Sequence, residues 1–482
     1  MNYKMMGRFI AQILSIEGIF MIPALIISLC YGEGNAAAAF GWTLLVIAVI
    51  TAALFLICRG APSAFYAREG LVCVGACWIV LSLVGCLPFY ISREIPKYID
   101  AFFEIVSGFT TTGASILTNV EALSPGILYW RSFSHWLGGM GVLVFLLAFT
   151  GGKGQGFTMH LLRAESPGPD VGKLVPKMRT TASILYIIYI VMTIINVIFL
   201  LAGDMPLLEA VCTAFGTAGT GGLAIKNDSM ASYSPYLQNV TTIFMALFGI
   251  NFSCYYLLLM RHFKAVFKDE ELRLYIGIIL TAIVLIVLDV RDLYGSLGET
   301  IRHAAFQVSS IITTTGYATT DFALWPTFSR TVLMCLMVVG GCAGSTAGGL
   351  KVSRLLLLMK SLGRNIRQSL NPRKVQVVRN NESVVSEKVL DNTNAYLAAY
   401  FVILFAMLLI VSLDGFSIGT NFSAVLCTFN NVGPGMEAVG PMCNFSIYSD
   451  FSTLIFSIGM LAGRLEIFPI LVLFAPETWK RK

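Results

Sequence analysis

The sequence predicts an all-α integral membrane protein. Four parallel repeats of helix, pore helix, filter strand and helix surround a pseudo-fourfold pore, after an N-terminal helix pair. Three observations predict this. Of 482 residues, 56% are hydrophobic and only 12% charged, against about 25% charged in an average globular chain. Apolar runs recur at 44–58, 182–201, 275–290 and 395–413, and the longest reach the ~20 residues that cross a ~30 Å hydrocarbon core as helix. A short segment rich in Thr and Gly returns four times, at intervals near one hundred residues.

The elements follow in chain order. Residues 1–60 form a two-helix extension, with apolar runs at 9–30 and 40–58. No small-residue cleavage site follows the first run, so it reads as a retained span rather than a signal peptide. Repeat 1 takes residues 61–180, repeat 2 181–268, repeat 3 269–390 with a glycine-rich loop, and repeat 4 391–482. In each repeat the connection between two spans opens with an apolar stretch too short to cross: 100–115, 207–223, 303–322 and 421–436. Thr, Gly or Asn then replace the apolar residues. Aligning the central glycines Gly113, Gly221, Gly316 and Gly433 gives intervals of 108, 95 and 117. Two full crossings per unit return every copy to the same side, so the four re-entrant segments run parallel. An inverted-repeat transporter needs odd numbers of crossings.

Charge sets the orientation. With both termini cytoplasmic and ten spans, 25 of the 33 Lys and Arg fall inside, the bias that the positive-inside rule describes. Seven fall outside (Arg93, Lys97, Arg131, Lys226, Arg291, Arg302, Arg330), and Arg464 lies within a span. Asp204, Asp228, Asp321, Asp414, Glu437 and Asp450 sit near outer loops. They either raise cation concentration at a mouth or are ordinary solvated loop charges. The 11 cysteines show no metal spacing and read as small packing residues.

Non-helical backbone at membrane depth survives only where protein buries it or water lines it. Thr-Thr-Thr-Gly occurs at Thr110–Gly113 and Thr313–Gly316, with looser equivalents at 218–221 and 430–433. Four such strands can stack rings of carbonyl oxygens that replace a cation's water shell, and the short helices would turn their negative carboxyl ends toward it. The candidate cation ligands, mainly backbone carbonyls, are Thr110, Thr111, Thr112, Gly113, Gly219, Thr220, Gly221, Thr314, Thr315, Gly316, Asn431, Val432 and Gly433. Close helix packing by small residues is the other reading of any one segment.

The segments SGFTTTGAS, HWLGGMGVLVF, SSIITTTGY, GGCAGSTAGGLKVSR, FNNVGPG and GMLAGRLEIFPILVLF, in this order, resemble the TrkH family of bacterial Trk potassium uptake systems, within the Trk/Ktr/HKT superfamily. The likeness runs over essentially the whole chain. It implies potassium uptake across the bacterial cytoplasmic (inner) membrane, a homodimer with a pore in each protomer, and a cytosolic TrkA-type regulatory ring. That ring, not this chain, would bind the nucleotide, NAD(H) or ATP/ADP. Strand 2 departs from the pattern, with Ala218 and Gly219 where threonines stand elsewhere; strand 4 has Asn430, Asn431 and Val432.

Residues 340–351 hold five glycines in their first ten. At ~1 kcal/mol lost per interior glycine relative to alanine, this helix should break below the filter. The resemblance makes it an intramembrane gate, with Gly344, Ser345, Thr346, Ala347, Gly348, Gly349 and Lys351. A glycine face for helix packing is the alternative. Arg464, near the middle of the last span, costs at least ~2.5 kcal/mol there, so it should face the pore or bond the loop's carbonyls. The basic stretches 153–179 and 360–388 are candidate docking surfaces for the partner ring and for anionic membrane lipid.

A proton- or sodium-coupled symporter through the same pore is the rival, with Glu17, Glu104, Glu209, Asp289 and Glu466 as candidate relay carboxylates. An enzyme is not expected, because the four histidines lie on unrelated elements without partner motifs. Nothing in the sequence points to nucleic acid.

Overall fold

The computed structural model describes residues 1–60, 67–141, 178–381 and 383–480. Helices Tyr3–Cys30 and Gly34–Ile57 form an antiparallel pair. Asn2 caps the first through the Met5 N–H at 3.1 Å. Gly32, with φ +75°, turns the chain, a conformation glycine adopts without the Cβ penalty.

Four groups of elements follow. Each has an outer helix: Ala67–Gly85, Met178–Leu201, Glu270–Val290 and Glu387–Val411. Each then has a short pore helix: Tyr98–Phe109, Leu207–Gly219, Leu297–Ile312 and Ile418–Phe429. An extended strand comes next, and finally an inner helix: Pro125–Gly139, Pro235–Phe248, Thr327–Val339 and Asp450–Arg464. Two limits drawn from sequence, 180/181 and 390/391, fall inside outer helices. These helices begin a turn or more before their apolar runs, with charged residues such as Glu387 and Lys388 at the start.

Among the described residues, six helices are long and apolar enough to cross a membrane: the N-terminal pair and the four outer helices. Three of the inner elements are not continuous spans, where a break was expected only in the third. The second bends by 90° between Phe248 and Phe252. The third opens into the loop 340–351, and the fourth breaks at Glu466 and Ile467, both with positive φ. The first ends at Gly139, and its expected continuation to 150 lies outside the described residues. The first and fourth inner helices pack against pore-helix ends close to where they stop. A β-carbon on Gly138 would overlap the Phe109 carbonyl, and one on Gly463 the Phe429 carbonyl, so inner helices abut the ends of pore helices there.

The outer helix of repeat 1 has 67% of its apolar window buried, against 33, 22 and 28% in the other three. The N-terminal pair packs on repeat 1 and accounts for the difference. Elsewhere the outer helices present Ile187, Ile194, Leu280, Val284, Val402 and Leu409 outward, the side a hydrocarbon solvent would wet. After the loop, the chain forms the amphipathic helix Val352–Leu370 and a hairpin pairing Arg379 with Val384.

Candidate functional site

Each pore helix ends where its strand begins, and the four strands share one backbone path. Thr112, Gly221, Thr315 and Val432 each donate an N–H to the carbonyl five residues back: Ser107, Gly216, Ser310 and Cys427, at 2.8–2.9 Å. The residue before each (Thr111, Thr220, Thr314, Asn431) is left-handed, with φ between 54° and 56°. Two residues on stands a glycine at positive φ: Gly113, Gly222, Gly316 and Gly433. The repeat-2 glycine in this position is therefore Gly222 and not Gly221, which takes the place of Thr112. The sequence alignment was one residue out because AGTGG offers two adjacent glycines, and only the backbone path distinguishes them.

The strands touch in cyclic order. A β-carbon on Gly113 would overlap the Gly221 carbonyl oxygen, one on Gly222 the Thr315 carbonyl, one on Gly316 the Val432 carbonyl, and one on Gly433 would lie 2.7 Å from the Thr112 carbonyl. Gly113, Gly222, Gly316 and Gly433 also line a single cavity of ≈ 160 Å³. Sequence positions roughly one hundred residues apart thus meet at one place. Four pore-helix carboxyl ends, each equivalent to about half a negative charge, end just before these strands.

Side chains fix the strands from behind. The Thr110 hydroxyl donates to the Val106 carbonyl at 2.6 Å and pairs with Thr112 at 2.8 Å. Thr313 repeats both contacts with Ser309 and Thr315, at the same distances. In strand 4, Asn431 Nδ2 donates to Thr112 Oγ1 and to the Met460 carbonyl, both at 2.9 Å. With the hydroxyls of Thr110, Thr112, Thr313 and Thr315 engaged this way, the backbone carbonyls of these residues are the groups left to face the strands' common centre.

Arg131 and Glu104 were missed as a pair by sequence reasoning. Both are buried, 2.6 Å apart. Arg131 also donates to the Ala224 carbonyl at 2.7 Å and to Ser115 Oγ at 3.2 Å, and Glu104 accepts the Ile116 N–H at 3.0 Å. The network ties pore helix 1 and inner helix 1 to strands 1 and 2. One charge inside each of two apolar segments was the available signal. None of the six outer acidic residues lines the cavity. Several hold loops instead: Asp321 caps Ala323, Asp414 binds Ser449, Asp450 pairs with Lys97 at 3.2 Å. Hydroxyls of Ser417 and Thr420 hold the Glu437 carboxyl below the usual carboxylate range.

Beneath the strands lies the loop 340–351, and it touches all four repeats. Gly348 N–H donates to Thr314 Oγ1 at 2.6 Å, and Gly349 N–H to the Asn430 carbonyl at 3.0 Å. The Gly344 carbonyl accepts from Phe252 N–H at 3.0 Å, and the Thr346 hydroxyl donates to the Phe248 carbonyl at 3.3 Å. Ser345 closes a turn on Cys342 at 2.6 Å. Buried Lys351, at φ +75°, reaches the Ala347 carbonyl. Arg464 donates to the Thr346 carbonyl at 2.8 Å and to the carbonyls of Gly138 and Gly139 at 2.5 and 2.6 Å. It thus clamps the loop against the end of inner helix 1.

Two further anchors escaped the sequence. Buried Glu271 accepts the Ala343 N–H at 2.6 Å and the Ser353 N–H at 3.1 Å. Glu466, a poor partner for Arg464 on its own helix, instead pairs with Arg354, whose guanidinium lies 4.0 Å over the Tyr396 ring. No sequence spacing signals either contact, because the partners lie 82 and 112 residues apart at their widest. Of the basic stretch 153–179, residues 153–177 lie outside the described residues.

A family model described as TrkH, cation transport protein, matches residues 36–481. The Trk system potassium uptake protein TrkH of Salmonella typhimurium is 35% identical over 487 residues, covering 100% of both chains. The Trk system potassium uptake protein TrkG of Escherichia coli is 31% identical, covering 95% of each. The crystal structure of the potassium transporter TrkH from Vibrio parahaemolyticus matches with a TM-score of 0.89 and 30% identity, again over 100% of both chains.

Proposed function

The chain belongs to the TrkH family of cation transport proteins, and from that premise we propose that it takes up potassium through a channel-like pore lined by backbone carbonyls. The observation that carries this reading is the shared cavity at Gly113, Gly222, Gly316 and Gly433. A dehydrated cation there meets carbonyl oxygens from four strands in place of water. The ligand set is Thr110–Gly113, Gly219–Gly222, Thr313–Gly316 and Asn430–Gly433, around a pseudo-fourfold axis. One chain supplies all four strands, so each protomer of a homodimer carries its own pore.

The loop 340–351 is the gate. It spans the path below the strands and must move for a cation to pass. Arg464 both holds it and places a positive charge on the route. Its opening is controlled by a cytosolic TrkA-type nucleotide-binding ring docked on basic inner surfaces, with both termini on that side of the bacterial inner membrane. The amphipathic helix Val352–Leu370 follows the loop directly and carries Lys360, Arg364 and Arg367, which supports a mechanical link.

Coupled symport is the second reading, and one residue favours it. Glu17 is buried beside Gly85 with neither carboxylate oxygen hydrogen-bonded among the described residues. The other relay candidates are engaged: Glu104 with Arg131, Glu209 with Tyr233, Asp289 with Ser329, Glu466 with Arg354. Purified protein in vesicles should pass potassium and rubidium well above sodium and lithium, and a nucleotide-binding partner should alter the rate. Equal flux of all four cations would overturn the potassium reading. A reversal potential that moves with pH or sodium at fixed potassium would select symport.

A further inference from the structure

Strand 2 lacks the side chains that brace the others. Strands 1 and 3 carry threonine at the first and third positions and pair the two hydroxyls at 2.8 Å. Strand 4 uses amides, with Asn430 Nδ2 donating to the Leu426 carbonyl and Tyr400 hydroxyl, both at 2.8 Å. Strand 2 has Gly219 and Gly221 in the corresponding places, yet follows the same path, with Thr220 held left-handed. A strand with two bare glycines has the most backbone freedom to lose, and its one hydroxyl, on Thr220, reaches no further than the adjacent Gly219 carbonyl at 2.6 Å.

The missing volume is filled from inner helix 1. A β-carbon on Gly221 would fall on the His135 imidazole, overlapping Nδ1, Cγ and Cε1, and one on Gly219 would run into the His135 main chain. His135 is fully buried, and its Nε2 accepts the Leu223 N–H at 3.3 Å. An accepting Nε2 leaves the ring proton of the neutral tautomer on Nδ1. In strand 2, then, an imidazole from outside occupies the room that Thr112 and Thr315 fill with their own side chains in strands 1 and 3.

We infer that His135 is the positioning residue for the second filter strand, setting its carbonyls and so the potassium-over-sodium discrimination of the whole ring. The inference rests on the strands being the conducting filter. The ring lies behind the backbone and does not touch the ion; it acts by filling space and holding Leu223. A strand free to shift by a few tenths of an ångström would let its carbonyls close on a smaller cation.

The test is an exchange experiment on the full chain in vesicles, reading potassium, rubidium and sodium flux alongside thermal stability. Wild-type selectivity checks the pore reading by itself; without it, that reading fails and His135 is not at issue. Given a selective wild type, His135→Ala should lower the potassium-to-sodium ratio about fivefold or more, the scale of one lost buried hydrogen bond with its packing. Gly221→Thr alone should abolish flux, because its side chain meets the imidazole. His135→Ala combined with Gly221→Thr should recover flux and bring the ratio back toward wild type, since the strand regains a side chain of its own. Should the His135→Ala protein keep the wild-type ratio, or the double variant be no more selective than His135→Ala, the inference is overturned.

Discussion

Strand 1 is braced by its immediate neighbours. The Thr112 N–H reaches Ser107, the Thr110 hydroxyl reaches Val106, and the two threonines bond each other. The loop beneath is held from a distance: Glu271 is 72 residues from Ala343, Phe248 is 98 from Thr346, and Arg464 is 118 from Thr346. Local bonds form with their own pore helix and persist as long as it does. Long-range side-chain bonds break when one helix moves relative to another. Strand 1 thus takes most of its bonds from neighbours within five residues, with Asn431 on Thr112 the long-range exception, whereas the loop is tied mainly to distant partners. In the proposed pore the first is the fixed part and the second the part that releases.

The largest effect should come from breaking the fixed part. Gly113→Ala puts a methyl group on the Gly221 carbonyl at φ +82°. Potassium flux should fall by about a hundredfold or more, since strain and occlusion act on the ion path together. A well-folded variant with near-normal flux would remove Gly113 from the pore lining.

Releasing the lower part should act in the opposite direction. Arg464→Ala deletes three charge-assisted hydrogen bonds, each worth about 1.5–3 kcal/mol. Even partial loss should raise partner-free flux about tenfold, since 1.4 kcal/mol is one decade. Unchanged or reduced flux in folded protein argues against the clamp. Deleting residues 344–349 should leave flux high and nearly indifferent to the cytosolic partner; a partner response of wild-type size would place the gate elsewhere.

Smaller changes sharpen the contrast. Glu271→Gln keeps one acceptor oxygen for the Ala343 and Ser353 N–H groups but removes the charge. Basal flux should rise about threefold, in line with roughly 0.5–1.5 kcal/mol for a neutral bond replacing a stronger one. Thr110→Val should be mildest, shifting the rubidium-to-potassium ratio by about twofold while leaving partner dependence intact. A variant at Thr110 that altered gating instead would dissolve the distinction between the two parts.

Much of this was legible beforehand. Four half-helices, each with Thr, Gly or Asn after it, could be read from apolar runs that stop too soon to cross a bilayer. Arg464 announced itself as a charge in mid-span, and the glycine run at 340–349 announced a break. Other features were not legible. The Gly221–Gly222 ambiguity needed backbone dihedrals, and the breaks in inner helices 2 and 4 carry only isolated glycines such as Gly249 and Gly463. Glu104 with Arg131, and Glu466 with Arg354, join elements that no periodicity connects.

The sequence by itself determined the helical membrane class and the places of the four short apolar segments with their Thr, Gly or Asn strands, because length and hydropathy act locally and add along the chain. Only the tertiary structure decided which atoms meet: Gly113 beside Gly221, His135 behind strand 2, Arg464 on Thr346. Those contacts depend on how helices about one hundred residues apart in the chain pack. Packing is set by the summed shape of many side chains, and no single stretch of sequence carries that information.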